Sequence, residues 1–224
     1  MRGAVVRQLI LKDWALYRGQ LLFSIAGGAI ALGVVQWRHE APILVGIICF
    51  FSALILVGHM LPIVGIVNER KNQNLAFLMS LPVSSIQYTT AKLISTFGMF
   101  LIPWLTLLAA AVLLIETRGF VPRAFIPLFL ILAFLPFIGT CLITGVALVG
   151  ETEGWGLAAN VFCNIVYSLA WPFLIRIPGL MPNATVPKPV WHSNVFRVLG
   201  VEVGLIVLIL ALTYYLQSKK RDFI

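Results

Sequence analysis

Six long apolar runs, at about 21–37, 42–67, 93–115, 124–149, 157–175 and 195–216, leave this chain few ways to fold. A hydrocarbon core about 30 Å thick takes roughly 20 apolar residues as an α-helix, and the runs are of that length. Strands of a membrane barrel would be about half as long and would alternate apolar with polar residues, which these runs do not. At 60% hydrophobic and 11% charged residues, a water-soluble domain of 224 residues would lack the interior to hide its apolar surface. The sequence predicts one all-α transmembrane domain with six membrane-crossing helices, an interfacial elbow helix over 1–20 and an amphipathic cytoplasmic segment over 68–92.

The formal charge of +8 sits at helix ends, with no basic patch interleaved with aromatics, so nucleic acid is not an expected partner. What the charge encodes is orientation. Six spans put both termini on one side, with ten basic residues: Arg2, Arg7, Lys12, Arg18, Arg70, Lys71, Lys92, Lys219, Lys220 and Arg221. The opposite side holds six, Arg38, Arg118, Arg123, Arg176, Lys188 and Arg197. The positive-inside rule makes the first side cytoplasmic. Residues 1–20 carry several charges and lead to no compact cleavage site, so they are expected to stay in the mature chain. A helical wheel there gathers Val6, Ile10, Trp14 and Tyr17 opposite Arg7, Gln8, Lys12 and Arg18, with Asp13 misplaced on the apolar side. The pattern suits a helix lying along anionic lipid, or else a plain extension of the first span.

Between the second and third spans lies a charged, amphipathic island, residues 68–92. Leu75, Leu78 and Met79 recur at helical spacing and draw an apolar stripe, and Pro82 ends that helix. Ser84 and Gln87 have the spacing of a capping box, so a new helix is predicted from Ser85. Shape alone suits an ordinary loop equally with a docking element.

Asn68-Glu69-Arg70-Lys71, followed by Leu75, Leu78, Ser80-Leu81-Pro82-Val83-Ser84 and Ala91-Lys92, resembles the segment after the second span in permeases of the ABC type-2 exporter family. Leu11-Lys12-Asp13-Trp14 is similar to the Lys-Asp opening ahead of that family's first span. Asn72-Gln73-Asn74 stands where the family has Gly-Thr, a departure in local turn geometry. The resemblance implies an elbow helix and a coupling helix that docks on a separate cytoplasmic ATP-binding-cassette ATPase. It also implies a second permease copy or paralogue and residence in the cell's inner, or plasma, membrane. Glu69, Arg70 and Lys71 would then supply polar rim contacts, Leu75, Leu78 and Met79 would either anchor a groove of the partner or pack back on the bundle, and Leu81 and Pro82 would form the corner. Glu151 and Glu153, in the short acidic loop 150–156, fit a lesser contact or a plain turn. The chain has no glycine-rich phosphate-binding loop and no Gly-Lys dipeptide, so it is not expected to be an enzyme; ATP and Mg would sit on the partner. Cys49, Cys141 and Cys163, like His39, His59 and His192, are scattered without metal-ligand spacing, and neither a metal nor any other cofactor on this chain is expected.

Within the spans, Asn160, Asn164, Tyr167 and Ser168 share one helical face that lipid would not tolerate. Hydrogen-bond contacts between helices and the lining of a translocation path both account for it. Glu202, a carboxylate deep in the sixth span, reads as a gate residue paired with Arg176 or Arg197, or as a substrate or proton site. Ser24 with Gly28, and Gly27 with Ala31, mark a close helix crossing or a dimer seam. Pro62, Pro103, Pro127, Pro136 and Pro172 predict kinks, and the proline-rich stretch 177–194 a lid over the outer mouth. The exporter reading implies an amphipathic substrate such as a lipid, peptide or drug. An ion-coupled carrier or a membrane assembly or anchor protein are the competing classes, the first short of intramembrane carboxylates and the second leaving the proline corner without a purpose.

Overall fold

The computed structural model describes residues 2–37, 40–71, 85–118, 121–150, 152–181 and 189–219, and among them every regular element is helical. Six helices are long and apolar enough to cross a membrane, and the chain is a multi-pass membrane protein. They are α1 (Arg2–Val35), α2 (Glu40–Pro62), α3 (Ser85–Arg118), α4 (Ile126–Val149), α5 (Glu153–Leu174) and α6 (Ser193–Lys219). They run up and down. Lys12 with Glu69, and Gln217 with Leu148, meet at the end that holds both termini. Arg123 with Glu116, and Leu180 with Val195, meet at the far end.

α4 is the central helix. More than half of its apolar window, 56%, is buried, against 17% for α5 and α6. α4 carries Ile131, Ala133, Thr140, Ile143 and Thr144, on opposite sides of the helix and all fully enclosed, and its threonine hydroxyls bond carbonyls one turn back, which lets them lie in an apolar interior. α6 runs parallel to α4, and Gln217 Nε2 donates to Leu148 O at 2.6 Å.

Small residues set the approach of α1 to its neighbours. Ser24 Oγ donates to Ala53 O of α2 at 3.3 Å, and a Cβ on Gly28 would lie 2.5 Å from Leu107 Cδ1 of α3. Gly27 meets nothing within 4 Å. The Ser24 and Gly28 pair therefore makes a close crossing inside the chain.

Several expectations change at the helix ends. The 1–20 segment is not a separate elbow: α1 is unbroken from Arg2, because neither proline nor a turn signal interrupts it before Val35. Trp14 and Tyr17 pack inward on the core. α3 begins at Ser85, where the Ser84 and Gln87 spacing predicts, and continues without a break into the third span. Pro127 lies in the first turn of α4, where a missing N–H is no loss, so it starts that helix and does not kink it. Pro62 ends the regular part of α2. A π-turn, Ile63–Val67, follows it and leads into a last helical turn, Asn68–Lys71. Tyr17 OH donates to Val64 O in that turn at 3.2 Å, fastening the irregular stretch to α1.

Gly28→Val should destabilise the bundle by about 1–3 kcal/mol through overpacking against Leu107, while Gly27→Val should be tolerated. Unfolding by sodium dodecyl sulfate titration in mixed micelles reads the difference.

Candidate functional site

At the terminal end Lys92 is enclosed by two carboxylates from two other helices. Its Nζ lies 3.0 Å from Asp13 Oδ2 on α1 and 2.8 Å from Glu69 Oε2 in the helical turn Asn68–Lys71 that follows α2 and the π-turn. Lys12 Nζ reaches Glu69 Oε1 at 2.6 Å, Ser95 Oγ donates to Asp13 Oδ2 at 2.9 Å, and Tyr88 OH donates to Glu69 Oε2 at 3.3 Å. The Lys92 and Asp13 side chains are 2% and 3% exposed, so these partners must replace their lost hydration. Two ammonium groups face two carboxylates, and the cluster is formally neutral. Burial alone pushes the Glu69 carboxyl up; Lys92 and Lys12 more than reverse it, and its pKa is below the ordinary value.

This cluster explains Asp13. Leu9, Asp13, Tyr17 and Leu21 follow one another at i, i+4 on the buried face of α1, so the apparent misfit of the wheel is the residue that meets Lys92. It also moves Glu69. That carboxylate is buried and paired, and it is not an open rim contact.

A second polar cluster lies inside the spans, around a histidine that sequence reasoning passed over. Asn164 Nδ2 is 2.9 Å from both the main-chain carbonyl and Oδ1 of Asn160. A main-chain carbonyl can only accept, so Asn164 presents its amide nitrogen there, and the side-chain atom of Asn160 beside it is the oxygen. His59 Nδ1, 2.7 Å from the same Oδ1, then donates to it, and His59 Nε2 accepts the Tyr167 hydroxyl at 3.2 Å. Ser168 Oγ donates to Asn164 O at 3.0 Å. Gly139 of α4 leaves the space that the Tyr167 hydroxyl fills, since a Cβ there would overlap it. His59 was within reach of the sequence: a histidine in mid-span is costly unless bonded, and the Asn160 face needed a partner.

Beside this cluster, toward the far end, α2 and α5 part and leave a cavity of about 690 Å³. Its wall is largely apolar, with Phe51, Ile55, Phe129 and Trp171 and the two polar residues Gln36 and Ser52, and its polar floor on α5 is Asn164, Tyr167 and Ser168. The α5 face thus divides: Asn160 and Tyr167 join helices through His59, while Asn164, Tyr167 and Ser168 line the cavity. On α6, Glu202 is buried with its Oε2 lacking any hydrogen-bond partner, and among the described residues it makes no ion pair with Arg176 or Arg197. Glu153 is half-buried in the first turn of α5. Leu75, Leu78, Met79, Leu81, Pro82 and Glu151 lie outside the described residues, as do the side chains of Arg70 and Lys71.

Compared with known proteins, the chain matches no family model, no curated protein and no solved structure. Function is therefore read from the two clusters and the cavity.

Lys92→Met strips two buried carboxylates of their shared cation and should lower stability by about 3–5 kcal/mol in a thermal scan of the detergent-solubilised chain. Lys12→Met, at a side chain 47% exposed, should cost far less.

The lowered pKa of Glu69 fixes the sign of a pH effect. Its stabilisation is complete above the unfolded value of 4.5 and is lost as pH falls through the lower folded value. Acid titration of melting temperature should show wild-type stability falling below that point, and Glu69→Gln should flatten the fall.

Proposed function

We propose that this chain is the membrane-spanning permease subunit of an ATP-driven exporter, working with a separate cytoplasmic ATP-binding-cassette ATPase and a second permease copy or paralogue. The observation that carries the reading is the ion-pair cluster. Glu69 near the start of the 68–92 segment and Lys92 at its end are fastened to each other, and Lys12 and Asp13 of α1 hold both. A segment that receives a push from a moving ATPase must join the spans without slack, and one clamped at both ends onto a third helix does so. Between the clamped ends, Leu75, Leu78 and Met79 provide the stripe for docking, Leu81 and Pro82 the corner, and Arg70 and Lys71 the polar rim. Glu151 and Glu153, in the next loop on the same side, form the lesser contact. ATP and Mg sit on the partner, and this subunit is not itself an enzyme.

The ten-to-six division of basic residues places both termini and this segment in the cytoplasm, in the cell's plasma membrane. The cavity, opening at membrane depth, suits an amphipathic substrate. Asn164 and Ser168, exposed on the α5 face, are polar groups for which a second permease copy or a substrate gives better surroundings than lipid.

Leu78→Asp tests the reading, because it puts a charge on the docking stripe at a position outside the six apolar runs. The permease should still insert and fold, while substrate-stimulated ATPase activity and export fall together. Full coupled export by the folded variant, or purification from the native host without a stoichiometric ATPase, would end the exporter reading.

A proton-coupled carrier is the second reading, and Glu202 is what favours it, as a buried carboxyl with an unpartnered oxygen. Transport by ATP-depleted vesicles under an imposed proton gradient, abolished by Glu202→Gln, would select the carrier over the exporter.

A further inference from the structure

The floor of the cavity has a polarity that follows from the direction of its hydrogen bonds. The Tyr167 hydroxyl spends its proton on His59 Nε2, the Ser168 hydroxyl on Asn164 O, and the Asn164 amide nitrogen on Asn160. Among the described residues nothing donates to Tyr167 Oη, Ser168 Oγ or Asn164 Oδ1. All three side chains line the cavity, so its floor offers acceptor oxygens whose own donors are already engaged. No described lining residue is charged, and Arg123, next to the wall residue Phe125, is held by Glu116 at 3.0 Å. An acceptor left bare in such a place is costly, and an occupant recovers that cost only by bringing a donor.

We propose that the cavity binds an uncharged, largely apolar molecule carrying a hydroxyl or amide N–H donor, with that donor on the Asn164, Tyr167 and Ser168 floor and its hydrocarbon against Phe51, Phe129 and Trp171. The volume lies within the range of about 300–1,000 Å³ usual for small-molecule sites, enough for one hydrocarbon chain with a small head. Anionic heads are disfavoured, since the floor supplies no donor and the described lining no cation, the other polar side chains there being the neutral Gln36 and Ser52. A cationic head would find acceptors but no counter-charge, and burying it there is unfavourable. A plain hydrocarbon fills the wall and leaves the floor unsatisfied. The site deepens the exporter reading by naming the substrate class, yet its binding test needs no ATPase. Failure of ATPase docking would leave the binding result standing, and failure of binding would leave the docking result standing.

The full chain in nanodiscs is photolabelled with a diazirine-bearing hexadecanol, and labelled peptides are mapped by mass spectrometry. Label should concentrate around Phe129 and Trp171, and hexadecanol should compete at least about tenfold better than palmitate, hexadecylamine or hexadecane, the factor for one hydrogen bond of roughly 1.4 kcal/mol. Ser168→Ala, a small change at an exposed position, should weaken labelling and narrow the advantage of hexadecanol over hexadecane. The competition series in the wild-type chain decides the matter even if a variant fails to fold. Equal competition by palmitate or hexadecylamine, or label spread evenly over the lipid-facing helices, would overturn the proposal.

Discussion

A lysine ammonium that is 2% exposed has to be neutralised where it stands, and Lys92 draws a carboxylate from each of two other helices to do it. That requirement fixes the register of α1, α2 and α3 at the terminal end, because Asp13 and Glu69 must reach the same depth as Lys92. The rest of the packing keeps that register. Fifteen positions beyond Asp13 on α1 is Gly28, and fifteen beyond Lys92 on α3 is Leu107, the side chain that packs over Gly28. Two parallel helices locked at one end by a charge thus arrive in step about 22 Å further on. α2 answers in the opposite direction, with Val64 at Tyr17 and Ala53 at Ser24.

Intramembrane polar groups follow a related logic in which direction replaces charge. One main-chain carbonyl, that of Asn160, orients the Asn164 amide, which orients the Asn160 side chain, which settles where His59 carries its proton. The Tyr167 and Ser168 hydroxyls and the Asn164 amide nitrogen all donate within the cluster. What is left over is a set of acceptors, and they face the cavity. The chemistry available there is recognition by hydrogen bonding, in a wall that supplies contact area and no charge.

How much of this the chain announces beforehand depends on the kind of signal. The six spans are legible because hydropathy is local: the run at 42–67 and the helical span Ala41–Val67 nearly coincide. The start of α3 at Ser85 is legible for the same reason, since capping chemistry lies within four residues. Asp13 was visible as an anomaly of the wheel, but its partner was not, because Lys92 is 79 positions away and reads by itself as a topogenic charge. Glu69 misleads in the same manner: a carboxylate in a polar island reads as surface, and only the packing of α1 and α3 shows it to be interior. His59 lies 101 positions from Asn160, and nothing local distinguishes it from an isolated histidine except its depth in an apolar run. The cavity has no local signal at all, being the space left where α2 and α5 diverge.

α2, continued through its π-turn into the turn Asn68–Lys71, is the element that the two clusters share. Glu69 belongs to the charged cluster, His59 to the polar one, and Phe51 and Ile55 to the cavity wall, all on one strand of helix. Glu69 and His59 are ten positions apart, about 15 Å along the axis, and the π-turn Ile63–Val67 lies between them. A π-turn holds one residue more than the regular ladder, so it changes which face the helix presents on either side of it. Here it turns Glu69 toward Lys92 while His59 faces α5, a combination that uninterrupted helical spacing places about 80° apart, close to a quarter turn. Pro62 makes that turn possible by withholding an N–H, and Tyr17 holds it by bonding Val64 O. The tyrosine comes from the same α1 whose Asp13 holds Lys92, so the irregular stretch of α2 is fastened to α1 beside it and to the charge cluster below it. A displacement of the turn that carries Glu69 therefore has a material route along α2 to the cavity wall, beside the routes along α1 and α3, whose Leu32 and Ala111 also line the cavity.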